Sequence, residues 1–396
     1  MDLATPTGMY KTPDYTQGTI DKRDVSEMLE LWAHTETPLL NKISWGAESG
    51  ARGIEWVHEH LGWRYIEISG TLATNGTVLL AGSGVGGLSQ AEQTKQIRVG
   101  TVLFAQGVAD SGEVSGDHGW FVVSTIGSSY SVTGAWIASH KCSLAASTKM
   151  YIVAGTANEG STPDRDTSRI RTLLSNKMTI LRQDIRITGS QMATDMHAVN
   201  NELSHQTRLR LLELQKDREM AILFSKGQAR TTSAAGLMEG MAELFIDNQT
   251  ETWVDTSTTT LTETTFNDLV AEMAENGTGT NLCAVGAFKQ IRKFTGWSAD
   301  RIRTKVDDRL GGQYITSYLT DTGKTVDLVP MVKFPVDWLF VLDVDKIKLR
   351  ALKGRKLLLE KLGKVGDYEE WQLLSEFSME HHGVAQGQHG AFFALS

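Results

Sequence analysis

MATDMHAVNNELSHQTRLRLLELQKDREMAILFSK, residues 192–226, runs for 35 residues without Gly or Pro and is rich in Leu, Glu, Arg, Lys and Gln. Those are strong helix formers, and no breaker interrupts them, so the stretch predicts one long helix of about 50 Å at 1.5 Å rise per residue. On a 3.6-residue wheel Met192, Met196, Val199, Leu203, Leu211, Leu214 and Ile222 share one face. Leu209, Leu212, Met220 and Leu223 form a second apolar strip. Two apolar strips predict a helix packed on both sides, not one lying half in water. Glu213, Lys216 and Asp217 read as a solvated or intersubunit charge row, the solvated reading being preferred.

What surrounds this helix is patterned differently. Residues 1–45 combine Pro6, Gly8, Pro13 and Gly18 with a short helical run, Asp24 to Thr35, that ends before Pro38. Large apolar residues on this arm, including Met28, Leu31, Trp32, Leu39, Leu40 and Trp45, need a surface to cover. From Gly53 to Gly160 the chain alternates short β-branched or aromatic stretches with Gly, Ser and Asp at hairpin spacing. Strands are expected at 97–104, 120–126, 130–137 and 149–153, an all-β insertion. After the long helix, Phe266, Leu269, Val270 and Met273 recur at helical spacing and Gly277 supplies the stop. A compact α/β unit follows, with strands at 281–285, 326–332, 338–342 and 346–349 and a helix at 288–294. In the closing strand Trp371, Leu373, Phe377 and Met379 point one way and Gln372, Glu376, Ser378 and Glu380 the other, which predicts one buried and one wet face.

Composition narrows the function. The chain has 396 residues, 40% hydrophobic and 22% charged, enough for two or three domains with a sizeable core. A net charge of -8 argues against a protein built to grip phosphate backbones. Cys142 and Cys283 stand far apart without a second Cys or His at ligand spacing, so neither a disulfide framework nor a zinc knuckle is implied, and a reducing compartment fits best. No apolar run approaches the roughly 18 residues of a membrane span, and the first residues lack a basic-then-apolar signal.

Candidates for chemistry are sparse. His58, Glu59 and His60 alternate as a strand would, which places two histidines on one face, but no third ligand is signalled and a surface or interface cluster is preferred. His381, His382 and His389 lie where a strand exits into a glycine-rich tail and read as strand-end histidines. Asp343 and Asp345 flank Val344 after an apolar strand, as Mg²⁺-binding or catalytic carboxylates do, and equally suit a turn, which is preferred. The AGSGVGG run at 81–87 lacks the Lys-Ser/Thr ending of a phosphate loop. No GxSxG, HExxH or paired CxxC motif is present, so no catalytic, cofactor-binding or metal residue is named and no enzyme is expected.

The order of arm, β-rich extended segment, doubly packed long helix, compact α/β unit and long closing strand resembles the Hong Kong 97-type fold of tailed-bacteriophage major capsid proteins. NELSHQTRLRLLELQKDREMAILFSKG at 201–227 resembles that family's spine helix, with Glu202, Gln206, Glu213, Leu214, Asp217 and Glu219 at matching positions. MTILRQDIRITGSQMA at 178–193 is similar to the strand and Ser/Thr-Gly turn that precede the spine, and Arg218 departs from the pattern. GLMEGMAELF at 236–245, TLTETTFNDLV at 260–270 and LEKLGKVGDYEEWQLLSEFSMEHHGVAQGQHG at 359–390 resemble the axial-domain entry and closing strand. The resemblance implies an α+β capsid fold with an inserted small all-β domain. Its parts would be an N-terminal arm (1–45), an extended loop (46–85), a β-rich insertion (86–162), a peripheral domain with the spine helix (163–235), an axial domain (236–358), and a closing strand and tail (359–396).

It further implies a subunit that self-assembles through hexamers and pentamers into an icosahedral shell around phage double-stranded DNA. Implied partners are portal and scaffolding or cement proteins, with only weak nonspecific proximity to the packaged DNA and no membrane. The implied locations are the virion and, during assembly, the host cytoplasm. Trp32, Trp45, Trp56 and Trp63 are the candidate intersubunit contacts, as aromatic anchors on extensions. The alternatives are another phage structural subunit, tail tube or decoration, against which the long helix counts, and a hydrolase with perturbed carboxylates such as Asp343 and Asp345 in a deep pocket.

Overall fold

The computed structural model describes residues 37–59, 64–72, 76–80, 83–84, 88–109, 118–137, 142–157, 159–160, 162, 168, 171–194, 201–249, 251–258, 260–297, 302–305, 314–364 and 366–396. The expected helix at Asp24–Thr35, together with Trp32, His60, Trp63, Met196 and Val199, lies outside them. The chain divides into two compact units. Among the described residues the first comprises 182–194, 201–214 and 359–373, and the second 37–181, 215–358 and 374–396.

The long helix is Glu202–Phe224, shorter than the expected 192–226. Asn201 starts it by accepting the backbone N–H of Ser204 on its side-chain oxygen at 3.1 Å, which satisfies one of the otherwise unpaired amides of the first turn. Upstream, Thr188 caps a separate short helix, Gly189–Ala193, that ends at an extended Thr194. Capping chemistry therefore divides a sequence that propensity alone joins. Burial is also uneven along the helix: Leu214, Ile222 and Leu223 are buried, whereas Leu203, Leu209, Leu211 and Leu212 are half-buried and Met220 is 38% exposed. The double packing is confined to its C-terminal part.

In the second unit a seven-stranded sheet runs in the order Val254–Asp255, Gly390–Phe392, Leu339–Asp343, Leu282–Ala287, Thr325–Met331, Tyr314–Leu319 and Ile302–Lys305. Every residue of Leu282–Ala287 is buried, as expected of a central strand covered on both faces. Helix Glu263–Glu275 begins with a reciprocal capping box between Thr262 and Thr265 and stops at Gly277, whose φ of +81° suits a residue without Cβ. Its Phe266 meets Phe294 of helix Phe288–Gly296 edge to face at 4.8 Å. Burying each such ring stabilises the fold by roughly 1.5–3 kcal/mol.

A second sheet of six strands has its own core, built on Ile66, Leu103, Phe121, Val132 and Met150. It contains Tyr65–Glu67 and Gly76–Leu79 as well as Thr101–Gln106, His118–Ile126, Ser131–Trp136 and Lys149–Gly155. The all-β unit thus begins before residue 86, drawing on residues expected in the extended loop. The strand expected from Ile97 starts at Thr101, because residues 97–100 turn and bury Ile97. Strands Gly53–His58 and Thr172–Lys177 pair antiparallel as a separate two-stranded ribbon.

The closing strand, Tyr368–His381, differs most from expectation. Glu376 and Ser378, placed on its wet face by alternation, are 3% and 0% exposed. Glu376 is buried because Arg230 and Arg355 pair with it, whereas the Ser378 hydroxyl is buried with no hydrogen-bond partner among the described residues, so alternation of chemistry did not mean alternation of burial. Within residues 37–45, Leu39 and Ile43 are part of the core, and Ser44–Trp45 pairs in parallel with Ile347–Ala351.

Candidate functional site

The C-terminal part of the long helix carries two adjacent charged residues inward. Neighbouring positions on a helix project about 100° apart, so Arg218 and Glu219 reach different partners. Arg218 donates from Nε and Nη2 to Ser375 Oγ at 3.1 and 2.8 Å, and from Nη2 to the Lys356 carbonyl. Its guanidinium carbon lies 5.5 Å from the Trp45 ring centroid and 6.0 Å from that of Phe377. Burial pushes its pKa below the usual guanidinium range. Among the described residues no carboxylate pairs with Arg218, and its charge is met by oxygen acceptors and ring faces instead.

Glu219 turns the other way. Its carboxylate accepts the backbone N–H groups of Leu39 and Leu40 at 2.7 and 3.1 Å. These amides open a turn in which Lys42 N–H and Ile43 N–H both donate to the Leu39 carbonyl. Glu219 thus does for this turn what an N-cap does for a helix, with the extra strength of a charged acceptor. The segment from Thr37 to Trp45 is held on the helix by one carboxylate and by the buried side chains of Leu39 and Ile43.

Next to Ser375, the carboxylate of Glu376 accepts from Arg230 Nη2 at 2.9 Å and Arg355 Nε at 2.8 Å. Three consecutive residues of the closing strand, Ser375, Glu376 and Phe377, therefore tie together the long helix, the turn at Lys356 and the segment after the helix. A buried carboxylate between two arginines is retained only if both partners stay in place.

The carboxylates and histidines singled out in sequence gather elsewhere in this unit. Asp343, 0% exposed, accepts from Gly279 N at 2.6 Å and Asp345 N at 3.2 Å and caps the single turn Val344–Lys346. The backbone N–H of Asp343 donates to His389 Nδ1 at 3.1 Å, and His389 Nε2 is 2.9 Å from the His382 carbonyl. These two bonds require a neutral ring protonated at Nε2. Burial is the main reason that His389 and His381 are both lowered to about 4. Asp343 also accepts from Thr278 Oγ1 at 3.4 Å, and Asp345 accepts from Asn281 Nδ2 at 3.1 Å, so both carboxylates are engaged by the protein's own groups around the turn. Glu59 pairs with Arg171 at the surface, and among the described residues no three His, Cys, Asp or Glu side chains are grouped to hold a metal ion.

The remaining sequence-named residues are dispersed. Gln206 donates to Glu202 one helical turn away at 2.7 Å, Glu213 pairs with Arg210 at 2.5 Å, Leu214 is buried and Asp217 is exposed. Trp56 is 6% exposed and packs on His381 at 5.0 Å, while Trp45 lies 6.2 Å from Phe377 and under Lys356. Trp45 and Trp56 make these contacts within the chain. Sequence reading missed Ser375, Arg355, Arg230 and the amides of Leu39 and Leu40; the one available signal was Arg218, out of keeping with its apolar helix strip.

The sequence pattern of the SU10 major capsid protein family matches residues 7–393. Among solved structures, a chain of the cyanophage A-1(L) capsid is similar at 12% identity and a TM-score of 0.49, over 95% of this chain and 97% of that one. A chain from mycobacterium phage Bobi is similar at 9% identity and a TM-score of 0.48, over 95% and 96%. The capsid of an empty GTA particle gives 9% identity and a TM-score of 0.47, over 98% and 100%. No curated protein matches the sequence.

Proposed function

Because this chain belongs to the SU10 major capsid protein family, we propose that it assembles through hexamers and pentamers into an icosahedral shell enclosing phage double-stranded DNA. That it is a phage-shell major capsid protein of the Hong Kong 97 type, a self-associating virion component from a structural rather than an enzymatic family, follows from the family itself. The oligomer types, the enclosed DNA, assembly in the host cytoplasm and contacts with portal, scaffolding or cement proteins are the proposal. The observation that carries it is a family match spanning nearly the whole chain, not one motif.

Within this reading the residues before Thr37 are an arm, the ribbon Gly53–His58 with Thr172–Lys177 is the base of the extended loop, the long helix is the spine, and the seven-stranded sheet is the axial domain. The all-β unit is an insertion between the two ribbon strands. A shell subunit needs anchored extensions, because a shell contact built from flat patches alone buries less area than one wrapped by arms and loops. The Glu219 joint supplies such an anchor at the root of the arm. Trp32, Trp45, Trp56 and Trp63 are the proposed intersubunit anchors. The acidic balance suits a container, since a strongly cationic lining would hold the genome nonspecifically.

Negative-stain electron microscopy and sedimentation of the purified chain, alone and with its neighbouring genes, test the proposal. Closed shells, or flat hexamers and pentamers, are expected, and they should be lost from a chain lacking residues 1–36. Monomers in every condition would overturn it.

A further inference from the structure

Residues 231–288 contain nine Asp and Glu and no Lys or Arg; Lys289, Arg292 and Lys293 follow at once. The fold displays this reversal on two helices. Helix Glu263–Glu275 turns Asp268, Glu272 and Glu275 away from its buried Phe266, Leu269, Val270 and Met273. Helix Phe288–Gly296 likewise buries Gln290, Ile291 and Phe294 and turns Lys289 and Arg292 to solvent.

We propose that the acidic face of Glu263–Glu275 and the basic face of Phe288–Gly296 are the two halves of one head-to-tail contact between copies of this chain. The inference rests on the self-associating shell reading and names the surfaces that reading leaves open.

Neither face is neutralised within the described residues. Asp268 and Glu251 form no ion pair there, and Glu272 accepts only from the uncharged Thr252. Asp268, Glu272 and Glu251 border an open groove of about 410 Å³ beside the sheet's edge strand Val254–Asp255, a recess able to admit long cationic side chains. Negative charge is concentrated beyond the groove as well. The Tyr65 phenol is pushed up to about 12, first by burial and then by Glu67, Glu275 and Glu272 among its neighbours.

On the basic side Lys289 and Arg292 also form no ion pair among the described residues, while Lys293 is engaged by a backbone oxygen of Ser396 at 2.7 Å. Lys293 is lowered by burial and by the like charge of Lys289. An apolar centre adjoins these cations. Phe288, Val332 and Val336 are 52%, 42% and 53% exposed. Strand register sets Ala287 opposite Met331, which brings Phe288 and Val332 to the same sheet end, and Gln290 donates to the Val336 carbonyl at 2.7 Å. An apolar centre with a charged rim is the composition of a protein contact, not of a merely solvated face. Opposite charges on two different faces favour a contact between unlike faces, and repeated heterologous contacts close into rings when the rotation permits.

The test is a charge swap in the full chain, read by sedimentation and electron microscopy. Asp268→Lys with Glu272→Lys, and separately Lys289→Glu with Arg292→Glu, should each cut the assembled fraction about ten-fold or more, since like charges then face each other. Combining all four substitutions should restore assembly. Circular dichroism identifies any reversal that fails to fold, and for that face Asp268→Asn with Glu272→Gln, or Lys289→Gln with Arg292→Gln, should weaken assembly in the same direction. Wild type that assembles while reversed and neutralised variants assemble equally well would overturn the inference and leave the shell reading standing. Variants that lose assembly without recovery in the four-fold swap would also overturn it. Wild type that never assembles would overturn the shell reading, and this contact with it.

Discussion

Glu219, buried at the C-terminal part of the long helix, accepts the backbone N–H of Leu39 at 2.7 Å across a sequence separation of 180 residues. A side chain thereby completes the hydrogen bonding of a turn it does not belong to, and fixes where the chain leaves the helix. Replacing Glu219 by Ala should leave the Leu39 and Leu40 amides without their acceptor and cost about 1.5–3 kcal/mol, as for hydrogen bonds to charged groups. Glu219→Gln, which keeps one acceptor oxygen, should cost less. Chemical denaturation of the unassembled chain measures both, and equal stability of Glu219→Ala and wild type would show that the turn is held by Leu39 and Ile43 alone.

Arg218 poses a different test, because its charge is buried without an ion-pair partner among the described residues. Arg218→Lys retains the charge but loses the planar fork that reaches Ser375 and Lys356 together, and its ammonium is more strongly hydrated. It should destabilise by about 1–3 kcal/mol. Arg218→Met removes the charge that had to be desolvated and keeps packing against Trp45 and Phe377, so it should be the milder substitution. The order of the two urea midpoints decides the matter: a lysine variant more stable than the methionine variant would mean that charge, not geometry, is what the site requires.

The buried histidines set a pH dependence. His389 is lowered to about 4 by burial, below the ordinary value of 6.5. Between these values the unfolded chain binds the proton and the folded chain does not, so stability is complete above about pH 6.5 and is lost as pH falls towards 4. A single group shifted this far contributes on the order of 3 kcal/mol. His381, lowered to about 4 by burial and then by His389 and His382, adds loss in the same window. His389→Asn removes the titrating ring and can still accept from Asp343 N–H in place of Nδ1, and should flatten the decline of melting temperature between pH 6.5 and 4. An unchanged slope would assign the acid sensitivity to other groups.

Several elements were legible because their signals are local. The capping box at Thr262 and Thr265, the stop at Gly277 and the β-branched runs that became Thr325–Met331 and His118–Ile126 act within a few residues of themselves. The long helix was legible as a helix but not in its start, because propensity is blind to whether Asn201 will cap. The closing strand was legible as a strand but not in its burial, since Glu376 looks solvated until Arg230 and Arg355 are brought to it from 146 and 21 residues away.

The sequence by itself determined the family, most helices and strands, and the absence of any named catalytic motif, because period, turn chemistry and motif spacing are carried by neighbouring residues. The tertiary structure alone decided which charges are buried and what they hold. Arg218 and Glu219 are adjacent in sequence and alike in composition terms, yet one is packed between rings and the other closes a distant turn. The physical reason is that a polar group's cost or benefit depends on the partner present once water is removed, and those partners come from segments that only folding brings together.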